Sequence, residues 1–261
     1  MLVPRPGPWA VLALLYAGHM AIAFNRGAMD AAVTQIVASG AHGFVGADGD
    51  SVAMASVCGA MCGNLAGAAL ARHATRRIGS KMSFVASLLA PALCSAAIAG
   101  VAAAGRTSVP SMVALWFGAR AAEALLRPSM VDLMNDAFPR ASLGRAWGVL
   151  STSSRAGAVL GGLVFSAQLL HGAAWSALFQ TACAALVVCA LLAVVCLPAA
   201  GPSPAAVRGG PAEVTVTSRH GGPGASFWFV SLYAAGTCDG AVCPLPTTRA
   251  QRSWLSASSR A

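Results

Sequence analysis

The sequence predicts an all-α, multi-pass transmembrane helical bundle, and three observations carry that reading. The chain is 57% hydrophobic and only 10% charged, against about 25% charged residues in ordinary soluble domains. Its mean hydropathy is +0.68. Six long apolar runs follow one another with short Gly-, Pro-, Asp- and Arg-bearing gaps, at residues 9–36, 51–71, 82–104, 111–134, 146–170 and 174–197. A soluble enzyme, a disordered chain and a DNA-binding domain are excluded by this balance, because a globule of this size needs a charged skin. Strands are excluded because no alternating pattern of about ten residues repeats.

Each run in turn is long enough to cross a bilayer, which takes about 20 apolar residues as helix. The first run imitates a signal peptide, with Arg5, an apolar stretch and then Ala21-Ile22-Ala23. Its apolar character continues past Ala23, so we read a retained first helix. The second run carries Gly59, Gly63 and Gly67 at four-residue spacing, and the fifth carries Gly157 and Gly161. Small residues at that spacing let helix backbones approach closely in lipid. After the sixth run, residues 198–225 read as a flexible Pro/Gly-rich cytoplasmic linker. Residues 226–243 read as a partial seventh helix, interrupted by Asp239, Pro244 and Pro246, and residues 226–261 end in an atypical Arg-rich tail. The domain expectation is therefore a six-helix bundle over 1–197, a linker over 198–225 and a partial helix with its tail over 226–261.

A net charge of +9 suggests nucleic acid in a soluble chain. Here the placement of the charge decides its meaning. With the N-terminus inside, the cytoplasmic segments hold Arg5, Arg72, Arg76, Arg77, Lys81, Arg140, Arg145, Arg208 and Arg219, and the outer loops hold only Arg106. That asymmetry predicts a cytoplasmic N-terminus and removes nucleic acid as a partner. Eight cysteines are spread along the chain with no C-x-x-C pair, so they read as packing residues. The five histidines are scattered, mostly in predicted loops, and no metal site or cofactor is implied.

Several charges fall inside the spans. An ionisable group at bilayer depth costs roughly 2.5–3.5 kcal/mol on the insertion scale and marks a functional site by default. Arg26 and Asp30 lie four apart on the first span and can pair. Arg120, Glu123 and Arg127 follow i, i+3, i+7 spacing on the fourth and form one stripe. Arg155 adds a further cation on the fifth. Two readings fit equally: a polar cavity for an anionic or polar solute, with Glu123 or Asp30 as a protonatable switch, or salt bridges that fix packing. Asp132 and Asp136 sit near the cytoplasmic end of the fourth span, where they face the basic segment Arg72–Lys81.

The pattern resembles the N-terminal half of a major facilitator superfamily transporter over roughly residues 9–197. The family's loop G-x-x-x-D-R-x-G-R-K is matched by GAALARHATRR, in which Gly67, Arg72 and Arg76 agree and Ala71 replaces the Asp. The stretch AEALLRPSMVDLMNDAFP resembles the spinster-like branch at Glu123, Ala124, Asp136, Phe138 and Pro139. That branch has Asp-Arg in its first span, where this chain has Asn25-Arg26. The stretch RASLGRAWGVLSTSSRAGAVLGG is similar to the family's fifth span, with Gly162 where the antiporter signature has Pro.

The resemblance implies secondary transport of a small or amphipathic solute, proton-coupled, with the substrate site between two halves near the midplane. The charges inside the spans, Arg26, Asp30, Arg120, Glu123, Arg127 and Arg155, are the candidates for that site, of which the resemblance itself covers Arg26 and Glu123, and the matched motifs imply roles for Gly67, Arg72, Arg76, Arg77 and Asp136 in conformational change. The expected partners are the lipid bilayer, a small-molecule solute, and a second half or a homodimer. A chain of one half, a linker and the start of a seventh helix reads as a truncated transporter. The alternative is a non-transporting fragment or a regulatory partner of a full-length transporter. An intramembrane protease is set aside because no G-x-S-x motif with a partner His occurs within a span, and an aquaporin-like channel because no N-P-A motif is present.

Overall fold

The structure is a computed structural model, and it describes residues 7–38 and 49–197. Among these, seven helices follow in order: α1 Pro8–Ala38, α2 Gly49–Ile78, α3 Ser80–Ala103, α4 Val109–Glu123, α5 Leu126–Ala137, α6 Arg140–Leu170 and α7 Trp175–Cys196. The linker over 198–225, the partial helix over 226–243 and the tail lie outside the described residues.

The fourth predicted span is two helices. Pro128 has no N–H to give the carbonyl four residues back and crowds it. The ladder therefore breaks at Ala124–Leu125, where Leu125 N–H bonds instead to Ala122 O at 3.1 Å. Pro128 then sits in the first turn of α5, where proline is tolerated. Both break residues keep helical angles, with φ −63° at Ala124 and −67° at Leu125, so α4 and α5 together act as one span. At its start, Ser108 accepts from Ser111 N–H and Ser111 returns the bond to the Ser108 backbone, a capping box.

Two boundaries correct the sequence reading. The basic residues Arg72, Arg76 and Arg77, expected in a loop, lie in the last turns of α2, and only Gly79 separates α2 from α3. Gly79 makes that turn at φ 82°, a conformation that glycine adopts without a Cβ clash. Arg140 and Arg145 likewise lie inside α6 rather than before it. Long basic side chains at helix ends reach polar surroundings without ending the helix.

Five of the helical segments are long and apolar enough to cross a membrane: Pro8–Ile36, Ser51–Ile78, Ser80–Ala103, Val109–Ala137 and Trp175–Cys196. The fifth predicted span is missing from that set. Its helix, α6, has 31 residues, about 46 Å at 1.5 Å per residue, so length is sufficient. Three arginines and the run Ser151-Thr152-Ser153-Ser154 lower its hydropathy.

The core forms two layers. One gathers Leu15 and Ile22 of α1, Phe84 and Leu88 of α3, Met134 of α5, Leu150 of α6 and Leu186 of α7. The other gathers Met29 and Ile36 of α1, Trp116 of α4, Phe165 of α6 and Leu178 and Phe179 of α7. The starts of α1, α3 and α6 thus share a layer with α5 and the end of α7, as successive spans running alternately up and down require. This order brings Arg72, Arg76, Arg77, Lys81, Arg140 and Arg145 to one end of the bundle and Arg106 to the other.

Small residues set which helices touch. α1 packs chiefly against α6 and α7, α2 against α4, and α3 against α7 and α4. A Cβ on Gly59 would stand 2.9 Å from Val113 Cγ1, and one on Gly63 would stand 2.5 Å from Phe117 O. Gly67 lies directly against the Ala121 backbone, and Gly157 directly against Met20 O. The two glycine stripes are therefore the α2–α4 and α1–α6 seams, where the absence of side chains permits backbone contact.

Candidate functional site

Between the two apolar layers lies a polar level. Arg26 is near the middle of α1, Glu123 ends α4, and Ser95 sits past the middle of α3. Glu123 is 3% exposed and Arg120 7%. Arg26 Nε–H donates to Glu123 Oε2 at 3.1 Å, and Arg120 Nη1 donates to the same oxygen. The carboxylate thus receives one cation from its own helix and one from α1. Glu123 Oε1 and Arg120 Nε are buried without a hydrogen-bond partner. Beside this group Ser95 Oγ–H donates to Asn25 Oδ1 at 2.8 Å, with both residues fully buried.

The α2–α4 seam places this group. A Cβ on Gly63 would come within 3.0 Å of Arg120 Cβ, so glycine there lets α4 seat its arginine close to α2. The break after Glu123 follows immediately, which puts the carboxylate at the end of a helix rather than within a continuous one.

The predicted site residues divide. Arg26, Arg120 and Glu123 come together. Arg26 does not pair with Asp30: its guanidinium reaches across to α4, and among the described residues no Arg26–Asp30 ion pair forms. Asp30 is exposed on α1, within electrostatic range of Arg120 and Arg26. Arg127 lies in the first turn of α5, beyond the break, and is exposed where Arg120 and Glu123 are buried, close enough to His19 to act on it electrostatically. Arg155 is exposed on α6, and no ion pair of it is recorded among the described residues.

The conformational-motif residues also divide. Gly67 is buried in the α2–α4 seam. Arg72, Arg76 and Arg77 are exposed at the end of α2, and Asp136 is exposed near the end of α5. Asp132 accepts from Ser80 Oγ–H at 3.1 Å, which ties α5 to the start of α3. Lys81 turns to α7, donating to Val194 O at 2.9 Å and Leu197 O at 2.5 Å. A cation there satisfies the open carbonyls of a helix end and complements its dipole.

Sequence reasoning missed His19, taken with the scattered histidines of loops. It lies within α1, one helical turn after Tyr16 and seven residues before Arg26, and its Nδ1 is 2.7 Å from Ser153 Oγ on α6. Tyr16 OH is 3.3 Å from Thr152 Oγ1. The i, i+3 spacing of Tyr16 and His19 opposite the polar run 151–154 was the available signal. The six described cysteines are all free.

A family model described as Major Facilitator Superfamily matches residues 9–256. That match runs past residue 197, where the motif resemblance ends, and it is to the superfamily rather than to its spinster-like branch. Among curated proteins no match to the chain is found. Members of this superfamily are membrane transporters rather than enzymes, and several helices here are apolar enough to span a bilayer. A helical bundle with a charged level at mid-depth, matched over most of its length by that family, belongs to the Major Facilitator Superfamily.

Proposed function

We propose that the chain is a secondary active transporter of a small or amphipathic anionic solute, coupled to protons through Glu123. The single observation that carries this reading is the position of Glu123: a carboxylate 3% exposed, held by Arg26 and Arg120, with one oxygen unpartnered. The desolvation of a buried ion pair is offset only when its remaining acceptor sites are also bonded, and Glu123 Oε1 has no hydrogen-bond partner among the described residues. That oxygen is the atom proposed to take the proton. Protonation of Glu123 releases Arg26, whose side chain is 32% exposed, to meet an anion. Arg127 and Arg155 add exposed positive charge on α5 and α6, and Asp30 lies within electrostatic range of Arg120 and Arg26.

In this mechanism the bundle forms one wall of the transport path, and a second helical half or a second copy of the chain forms the other, rocking against it around the midplane site. Gly67 permits the α2–α4 contact, and Arg72, Arg76, Arg77 and Asp136 make and break contacts at the end that rearranges. The N-terminus is cytoplasmic, as the gathering of basic residues at one end supports. Glu123 beside Arg26 also supports the spinster-like branch.

The test is flux in proteoliposomes. A panel of labelled small organic anions is followed with and without a pH gradient, for wild type and Glu123→Gln. The reading expects gradient-dependent uptake in wild type and none in the variant. Equal uptake in both removes Glu123 from coupling.

A further inference from the structure

Four sulfur side chains share one face of α2. Met54, Cys58, Met61 and Cys62 follow i, i+4, i+7, i+8 spacing, so at 3.6 residues per turn they fall within an arc of about 100°. Gly59, Gly63 and Gly67 lie on the opposite side and seat α2 against α4. That seam fixes the rotation of α2 and turns the sulfurs away from the bundle. Met54 is 66% exposed and Met61 52%, and both thiols are free and exposed.

Cys58 is the centre of the group. Met54 stands four residues before it, Met61 three after and Cys62 four after. At those spacings helical side chains are neighbours, with Cβ atoms about 5–6 Å apart. Side chains on a helix lean towards its N-terminus, so Met61 and Cys62 lean towards Cys58.

The donor set is selective. Between residues 51 and 71 there is no His, Asp or Glu, and among the described residues no three His, Cys, Asp or Glu stand together. Two thiols without such partners do not complete the four-ligand shell of zinc, and no oxygen anion is offered to a hard cation. Thiolate and thioether together select a soft ion, Cu(I). The charge balance agrees. The group lies inside the span Ser51–Ile78, where an uncompensated charge is costly. One thiolate cancels the single charge of Cu(I), and a second thiol and a thioether add donors without adding charge.

We propose that Cys58 and Cys62, with a thioether from Met54 or Met61, form a binding site for a soft monovalent metal ion, Cu(I). One S–H bond of the pair breaks as one S–Cu bond forms; the proton leaves to water and the copper stays monovalent. The site is on the side of α2 turned away from α4, and it does not rest on the transport role of Glu123.

The experiment titrates the full chain in lipid nanodiscs with Cu(I), kept reduced by ascorbate, against a chromogenic Cu(I) chelator. X-ray absorption then reads the sulfur neighbours of the first ion bound. Wild type is expected to hold one Cu(I) more than Cys58→Ser/Cys62→Ser, while Cys183→Ser/Cys189→Ser on α7 keeps the wild-type count. Wild-type copper is expected to show three sulfur neighbours, falling to two in Met54→Leu/Met61→Leu. No copper held by wild type overturns the site. So does an unchanged count in Cys58→Ser/Cys62→Ser, or an equal loss in the α7 pair, which marks adventitious thiol binding. The methionine variant keeps both thiols and the glycine seam. If the serine variants fail to fold, the sulfur count decides, and an unchanged count in the methionine variant overturns the proposal.

Discussion

Arg26 of α1 and Glu123 of α4, 97 residues apart in sequence, meet at 3.1 Å at mid-depth of the bundle. Arg120 closes on the same carboxylate oxygen from the other side. The two arginines are not equivalent: Arg120 has a side chain 8% exposed and Arg26 one 32% exposed. Breaking a buried pair costs about 3–5 kcal/mol, because a charge is left uncompensated. A charged hydrogen bond open to solvent is worth about 1–2 kcal/mol after screening. Arg120→Gln is therefore expected to destabilise the protein more than Arg26→Gln in thermal unfolding of the purified protein. The reverse order contradicts the assignment of Arg120 as the buried partner.

The glycine seams give a prediction of opposite signs. Gly67→Ala places a methyl group against the Ala121 backbone, which cannot move aside as a side chain does, and should cost about 1–3 kcal/mol. Gly148→Ala meets nothing within 4 Å and should gain about 0.5–1 kcal/mol from helix propensity. Thermal stability of the two variants, measured side by side, checks both.

Ser95 and Asn25 form a buried polar pair whose members depend on each other. Ser95→Ala leaves Asn25 Oδ1 without its donor, at a cost of about 1–3 kcal/mol. Asn25→Leu combined with Ser95→Ala removes both partners and should recover part of that loss. A double-mutant cycle by thermal unfolding measures the coupling.

Lys81 joins the start of α3 to the last carbonyls of α7. Lys81→Met keeps the apolar stem and removes both bonds, and should cost about 0.5–1.5 kcal/mol. Hydrogen exchange of amides in the final turn of α7 should rise while that of α1 stays unchanged.

Much of this arrangement is legible in the sequence, and the exceptions have physical causes. Helix existence follows from apolar runs, so each of the six runs between residues 9 and 197 finds a helix. Charge was the poorer guide to where helices end: Arg72, Arg76, Arg77, Arg140 and Arg145 read as loop but sit on helix ends, because long cationic side chains reach out while their backbone stays helical. The break at Ala124–Leu125 had a signal in Pro128, overridden by the continuous apolar and charged spacing. Periodicity finds neighbours on one helix, and so it offered Asp30 to Arg26. The actual partner, Glu123, is a tertiary contact, and spacing within one helix carries no information about it. His19 was missed for the same reason, since its partner Ser153 is 134 residues away.

In the proposed mechanism Glu123 takes and releases the coupling proton while Arg26 and Arg120 hold its charged form. Infrared difference spectra of the reconstituted protein between neutral and acidic pH decide whether it does. The expected result is a protonated-carboxyl band that appears on acidification and is absent in Glu123→Gln. An identical band in wild type and Glu123→Gln, or no carboxyl change at all over the range in which flux responds to pH, contradicts it.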